Sequence, residues 1–262
     1  MGKVILNRRN LLRLGTATLA SAALSGCKVL DPLGNPDNGL RGFMSSANRL
    51  TMDSQRALIG ERLAREYLPA DIRGGQRPNG TIDPQQDDYL TLKDQGFASY
   101  HLEVGGAVAK PMRLSLAEIH ALPQRQQITR HDCVEGWSAI AKWQGVPLAE
   151  ILNMVQPMRT ARYAVFQCFD VMESSLSGPV YYYESIDLRD ARHAQTILAH
   201  RMNDAPLPVA NGAPLRLRVE RQLGYKMAKY LRSITLVAGL DNFGTGRGGY
   251  WEDRGYDWYA GI

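Results

Sequence analysis

The chain has 262 residues, 44% hydrophobic and 22% charged, proportions of a globular protein that exclude a disordered, collagen-like or coiled-coil chain. Its formal net charge of +5 is concentrated at the start: Lys3, Arg8, Arg9 and Arg13 precede the first acid, Asp31. Without them the remainder is close to neutral, so neither nucleic acid nor a charged membrane surface is expected as a partner, and no apolar run reaches the roughly 18 residues of a membrane span.

Residues 1–27 read as an address. A basic stretch is followed by a mildly apolar one, LGTATLASAAL, and then by small residues, the order of an export signal. Arg8-Arg9 with Asn10, Leu11 and Leu12 resembles the twin-arginine motif of proteins exported folded. Leu24-Ser25-Gly26-Cys27 resembles a lipobox, so the expectation is a periplasmic protein, lipid-anchored if Cys27 is acylated. Residues 28–45 hold Pro, Gly, Asn and Asp without periodicity and read as a tether.

An N-terminal helical arm is predicted over 46–72. Within it Ala57, Leu58, Leu63, Ala64, Tyr67 and Leu68 share one helical face, opposite most of the charges, and Pro69 ends the pattern. Residues 73–88 are rich in Gly, Pro, Asn and Asp and form a long loop of the kind that carries function. From 98 onward strands and short helices alternate. Strands are predicted at 99–106, 126–133, 161–169, 214–221 and 231–239. Helices are predicted at 114–122 (Ser115 as cap), 147–155 (opened by Pro147) and 190–200. Tyr181-Tyr182-Tyr183 reads as half-buried strand, Gly244–Gly249 as a loop, and Tyr250, Trp251, Tyr256, Trp258 and Tyr259 as a packed closing strap. Without regular βαβ crossovers, this order predicts a single α+β domain over 73–262.

Nucleotide-cradling glycine motifs, Cys-x-x-Cys-His and His-Glu-x-x-His are absent from the sequence. One cysteine stands out. Cys133 sits in Arg130-His131-Asp132-Cys133-Val134-Glu135-Gly136, where a predicted strand runs into a glycine turn. Arg130 and His131 are near enough in sequence to favour a thiolate, and Glu135 to supply a proton. The residues alone support a metal-binding thiolate, or a nucleophile with His131 or His200 as base. A third reading is a binding lipoprotein in which Cys133 and Cys168 pair as a disulfide.

Three motifs narrow this. QITRHDCVEGWSAIAKWQGVPLAEIL (127–152), HRMNDAPLPVANGAPLRLRVERQLGYKMAKYLRSI (200–234) and GGYWEDRGYDW (248–258) occur in this order. Together they resemble the sulfite-oxidase superfamily of molybdopterin-binding oxidoreductases, and its exported bacterial branch most. The resemblance implies the mixed-sheet molybdopterin-binding fold, without the immunoglobulin-like domain of some relatives, and a monomer. It implies a molybdenum–molybdopterin cofactor, with Cys133 as the thiolate on the metal and Glu135 as the proton-active residue. Cofactor contacts would come from Asn79, Gly80 and Thr81, from His200, Asn211 and Arg216, and from Met227, Ala228 and Lys229. Either Lys226 or Lys229 would reach the cofactor. Cys168 takes the place of a cofactor-contacting Thr. The implied reaction is oxygen-atom transfer with a small molecule, favouring reduction of an S-oxide or N-oxide, with sulfite-oxidase-like oxidation as the alternative. Electrons would come from a separate protein, such as a membrane cytochrome.

Overall fold

The computed structural model describes residues 39–72, 77–176 and 178–262; the export signal, Cys27 and the first part of the tether lie outside the described residues. Two units are resolved, one ending at Leu58 and one spanning Ile59–Ile262. Helix α1 (Gly39–Ile59) makes up the described part of the first. It starts inside the predicted tether and stops well before Pro69. Gly60, at φ +58°, takes the left-handed conformation that ends many helices. The following stretch is extended instead: Tyr67 N–H donates to the Ile128 carbonyl at 2.9 Å and Ala64 N–H to Gln195 at 2.7 Å. Pairing with the domain overrides the helical pattern of 61–68. Among the described residues no helix is long and apolar enough to cross a membrane.

Two sheets build the domain, one mixed and one antiparallel. The first has strands β1 (His101–Gly106), β2 (Met112–Ser115), β5 (Tyr163–Ser175), β6 (Gly178–Asp187) and β10 (Leu231–Val237), in the order β2-β1-β10-β5-β6. β10 lies parallel to β1, with Val104 opposite Ile234, and antiparallel to β5, with Phe166 opposite Ile234. The second sheet runs β3 (Arg125–Asp132), β4 (Ser138–Pro147), β7 (Ile197–Met202), β8 (Ala205–Pro206), and β9 (Arg216–Arg218) also pairs with β7. Short helices fill the gaps: α2 (Asp87–Asp94), α3 (Leu116–Ala121), α4 (Leu148–Val155) and α5 (Leu188–Ala191). Ser115 caps α3 as expected, its hydroxyl accepting from Glu118 N–H while Glu118 returns to Ser115 N–H.

The core joins the inward faces of the first sheet (Leu102, Val104, Phe166, Ile234, Leu236) to Ile151, Leu152 and Val155 of α4. A smaller cluster of Ala141, Trp143, Ile197, Ala199 and Leu207 sits against the second sheet.

The predicted helix 190–200 is corrected. Only Leu188–Ala191 is helical, and Ile197–Ala199 form the buried centre of β7. A central strand covered on both faces shows a continuous apolar run, which periodicity does not separate from a buried helix. β4 was not predicted. The strand predicted at 214–221 shrinks to three fully buried residues, so Arg216 and Arg218 point into the protein.

Candidate active site

A cleft with a cavity of about 160 Å³ opens where the two sheets meet, with Cys133 in its wall. Each lining segment arrives by a local device. β3 ends at Asp132, and the turn Cys133–Gly136 closes with Gly136 N–H donating to the Cys133 carbonyl at 3.0 Å and Cys133 N–H to Trp137 at 2.9 Å. Gly136 supplies the positive φ this turn requires, +86°. The thiol is 93% covered and meets the Asn79 amide, whose Nδ2 donates to Sγ at 3.5 Å. Glu135 stands exposed at the rim and accepts from Trp137 Nε1 at 2.9 Å.

The Asn79–Thr81 loop is fastened by Lys229. Its ammonium donates to the Asn79 carbonyl at 2.7 Å and to the Thr81 carbonyl at 2.5 Å. Burial and the Arg216 charge pull the Lys229 pKa down to about 7. Arg216 lines the cleft as well. One guanidinium nitrogen donates to the Asn211 carbonyl at 2.8 Å, while Nε has no partner. Burial and the neighbouring Arg218 lower its pKa to about 9. The Asn211 amide nitrogen is buried without a partner too, but Asn211 is not among the residues that line the cleft.

His131 does not assist the thiol. Its Nδ1 accepts from Arg218 at 3.0 Å, and Arg218 is held by both oxygens of Glu220, at 2.9 and 2.7 Å. Burial and these cations push the imidazole well below its ordinary pKa, so it is neutral. Arg130 pairs with Asp132 at 2.9 Å on the surface. His200 is likewise not brought to the cleft. Its Nε2 faces Gln124 at 2.8 Å and its ring packs on His120, 4.1 Å between centroids. With neither histidine set beside Cys133 as a base, the hydrolase reading loses its catalytic pair. Cys133 and Cys168 are both free thiols, against the disulfide reading.

The other expected residues divide. Gly80, Thr81 and Met227 line the cleft. Ala228 lies behind it, its carbonyl accepting from Leu217 N–H at 2.8 Å. Cys168 is buried in the core, where burial and Asp170 raise its pKa well above the ordinary thiol value. Lys226 is enclosed by Glu184 and Glu252, each at 2.5 Å, and is bound to these carboxylates rather than to the cleft.

Several lining residues were missed. Around Gln167–Glu173 the register of β5 slips against β6, and this irregular stretch delivers Asp170 and Met172 to the cleft. Burial lifts the Asp170 carboxyl to about 6, against the pull of Lys229. A lone acid in an apolar strand was the available signal. Tyr182, Gly224, Tyr225, Trp251 and Tyr256 complete the lining; two of these come from the predicted closing strap.

The arrangement suits an anionic group bearing a thiolate-binding metal. One thiol serves the metal. The unpartnered Nε of Arg216, with the Lys229 ammonium in the same cleft, suits an anion. The sequence model of the oxidoreductase molybdopterin binding domain family matches residues 89–241. The chain belongs to this family. It is therefore a molybdenum cofactor-dependent oxidoreductase of the sulfite-oxidase type, and the paired sheets are that family's α+β fold.

Its relatives agree. The chain is 43% identical over 170 residues to the putative protein-methionine-sulfoxide reductase subunit YedZ1 of Azospira oryzae; the match takes in 65% of this chain and 59% of that protein. It is 31% identical over 240 residues to the protein-methionine-sulfoxide reductase catalytic subunit MsrP of Xanthomonas axonopodis pv. citri, covering 88% of this chain and 70% of the relative. Among solved structures, the sulfane dehydrogenase SoxCD of Paracoccus pantotrophus aligns with a TM-score of 0.46 at 18% identity, over 54% of this chain and 39% of that one.

Proposed function

We propose that this protein is an exported reductase of S-oxides, methionine sulfoxide in polypeptides foremost, fed by a separate membrane redox protein. The observation that carries the reading is the position of Cys133 in a cleft that also holds the buried Arg216 guanidinium, whose Nε lacks a partner, while its rim is neutral or acidic. The relatives that match over most of this chain are named for that reaction.

The overall change is fixed by balance: an S-oxide, two electrons and two protons give a thioether and water. When bound, the molybdenum cofactor supplies the two-electron oxygen-atom chemistry. The chain's own residues do the rest. Cys133 holds the metal through sulfur and, with the Asn79 amide against it, keeps a defined orientation. Arg216 would hold the anionic end, with Lys229 fixing the 79–81 loop in the same cleft. Glu135, exposed at the rim, exchanges protons with solvent and passes them inward. Asp170, partly protonated near neutrality, offers a second proton within the same cleft.

The rim also argues for direction. Val134, Glu135, Trp251 and Tyr256 bring no exposed cation to the opening, so an anionic substrate such as sulfite is repelled by the Glu135 carboxylate, whereas a neutral S-oxide is not. Arg8-Arg9 and Cys27 support export by the twin-arginine route and a lipid anchor on a monomeric domain.

The test is elemental analysis and turnover of protein made in a molybdopterin-producing host. About one molybdenum per chain is expected, with reduction of methionine sulfoxide by an artificial electron donor. Cys133→Ala is expected to lower turnover by at least about a hundredfold, the usual scale for loss of a group at the reacting centre. Full molybdenum with oxidation of sulfite and no reduction of any S-oxide would overturn the direction proposed.

A further inference from the structure

Residues 249–257 fall beyond the segment matched by the family, yet they supply one side of the cleft. Their sequence, GYWEDRGYD, combines three aromatic residues with three acids, and the structure separates the two sets. Two of the acids, Glu252 and Asp253, look back into the body. Glu252 accepts from the buried Lys226 ammonium, which also holds Glu184 of β6. Asp253 accepts from the Tyr183 hydroxyl at 2.7 Å and from Thr245 at 2.6 Å. Tyr250 and Arg254 both donate to Glu173 of β5, at 2.6 and 2.8 Å.

The remaining aromatic residues turn toward the cleft. Gly255, at φ +101°, reverses the chain so that Tyr256 N–H donates to the Trp251 carbonyl and the two rings stack, 5.2 Å apart at 24°. Tyr225 meets Tyr256 edge-on, also at 5.2 Å, and its hydroxyl is fixed by the Asp257 carbonyl at 2.7 Å. All three rings line the cavity that holds Cys133 and Glu135. Because Trp251 and Tyr256 already stack on each other, they present a continuous wall and not a slot. Five hydrogen bonds, to Lys226, Tyr183, Thr245 and twice to Glu173, hold that wall still.

We propose that Trp251, Tyr256 and Tyr225 are the specificity-determining wall for the S-methyl group of the substrate. The proposal rests on the S-oxide reading above and names the residues that would enforce it. In a methyl sulfoxide the oxygen is electron-rich and the sulfur and its methyl group are electron-poor. Electron-poor groups of this kind sit favourably on aromatic faces. A methyl sulfoxide lying on the wall keeps its S–O group within the cavity of Cys133 and Glu135. Tyr256 and Val134 remain 39% and 46% exposed at the opening, which leaves an apolar edge for residues flanking the methionine in a polypeptide.

The experiment compares wild type with Trp251→Leu, Tyr256→Leu and Tyr256→Phe. Each is loaded with cofactor and assayed with an artificial electron donor on an N-acetylated, C-amidated methionine-sulfoxide peptide. Both Leu variants are expected to keep their molybdenum, and their KM should rise about tenfold more than kcat falls, the scale of one lost sulfur–aromatic contact. Tyr256→Phe keeps the ring and should behave as wild type. A parallel titration of the oxidised protein with the peptide should quench tryptophan fluorescence in wild type and lose most of that response in Trp251→Leu. Should Trp251→Leu fail to load cofactor, the half-exposed Tyr256→Leu decides. Unchanged KM in a loaded Leu variant overturns the wall while leaving the S-oxide reading intact. A loaded wild type that reduces no S-oxide sinks that reading, and the wall with it.

Discussion

His200 shows how a residue within a recognised motif can serve the fold alone. It opens the second signature, but burial on β7 and the facing His120 lower its pKa to about 4, and its hydrogen bond runs to Gln124. The folded state therefore prefers the neutral ring more than the unfolded chain does, whose ordinary value is 6.5. The stability this confers is present above pH 6.5 and is lost as pH falls through 6.5 toward 4. His200→Gln, which cannot take a proton, should flatten the decline in urea midpoint between pH 7 and pH 5 without lowering molybdenum content. A variant with the wild-type slope would show that another group governs acid sensitivity. His131 makes the complementary point. Its place two residues before Cys133 suggests activation of the thiol, yet Arg218 occupies its ring nitrogen and keeps it neutral. Proximity in sequence reported neither the direction the ring faces nor the cations around it.

At the scale of elements, close approach decides which glycines matter. A Cβ on Gly224 would lie 2.4 Å from His131 Cε1, and that ring cannot yield because Arg218 holds it. Gly224→Ala should cost about 1–3 kcal/mol of stability as overpacking and loosen the cofactor, since Gly224 lines the cleft. Gly105→Ala on β1 would meet nothing within 4 Å and serves as the control in the same denaturation series. An unchanged midpoint for Gly224→Ala would mean the turn shifts freely. Legibility in the sequence follows the same division. Elements set by local signals were readable: the Ser115 cap with Glu118, α4 behind Pro147, and the alternating β1. Elements set by distant partners were not. β7 looks helical until β4 and β9 flank it, and 61–68 looks helical until β3 offers its edge. For the site, motif residues such as Cys133, Arg216 and Lys229 were readable, while Asp170 and Met172 reach the cleft only through slipped pairing of β5, which no spacing announces. Trp251 and Tyr256 were seen as packing because aromatic content does not reveal which face is left uncovered.

At the scale of the whole molecule, the cleft draws on both sheets, on the loop at 79–81 and on the strap after residue 249. The cofactor site is thus complete only when the domain is, and this bears on export. Replacing Arg8-Arg9 by Lys-Lys should leave loaded, active protein in the cytoplasm, read as molybdenum-bearing enzyme in the soluble fraction of spheroplasts; normal periplasmic yield of that variant would reject the twin-arginine assignment. The position of β10 gives this its physical basis. It forms the middle of the first sheet, between β1 and β5, although both neighbours are made long before it. During synthesis those two strands wait with a gap between them, and long-range parallel pairing of this sort is slow to form. The sheet closes only once residue 237 has left the ribosome. A translocation machine that threads each segment outward as it is made would separate the two edges from the strand that joins them on opposite sides of a membrane, whereas one that accepts finished globules receives the sheet already shut.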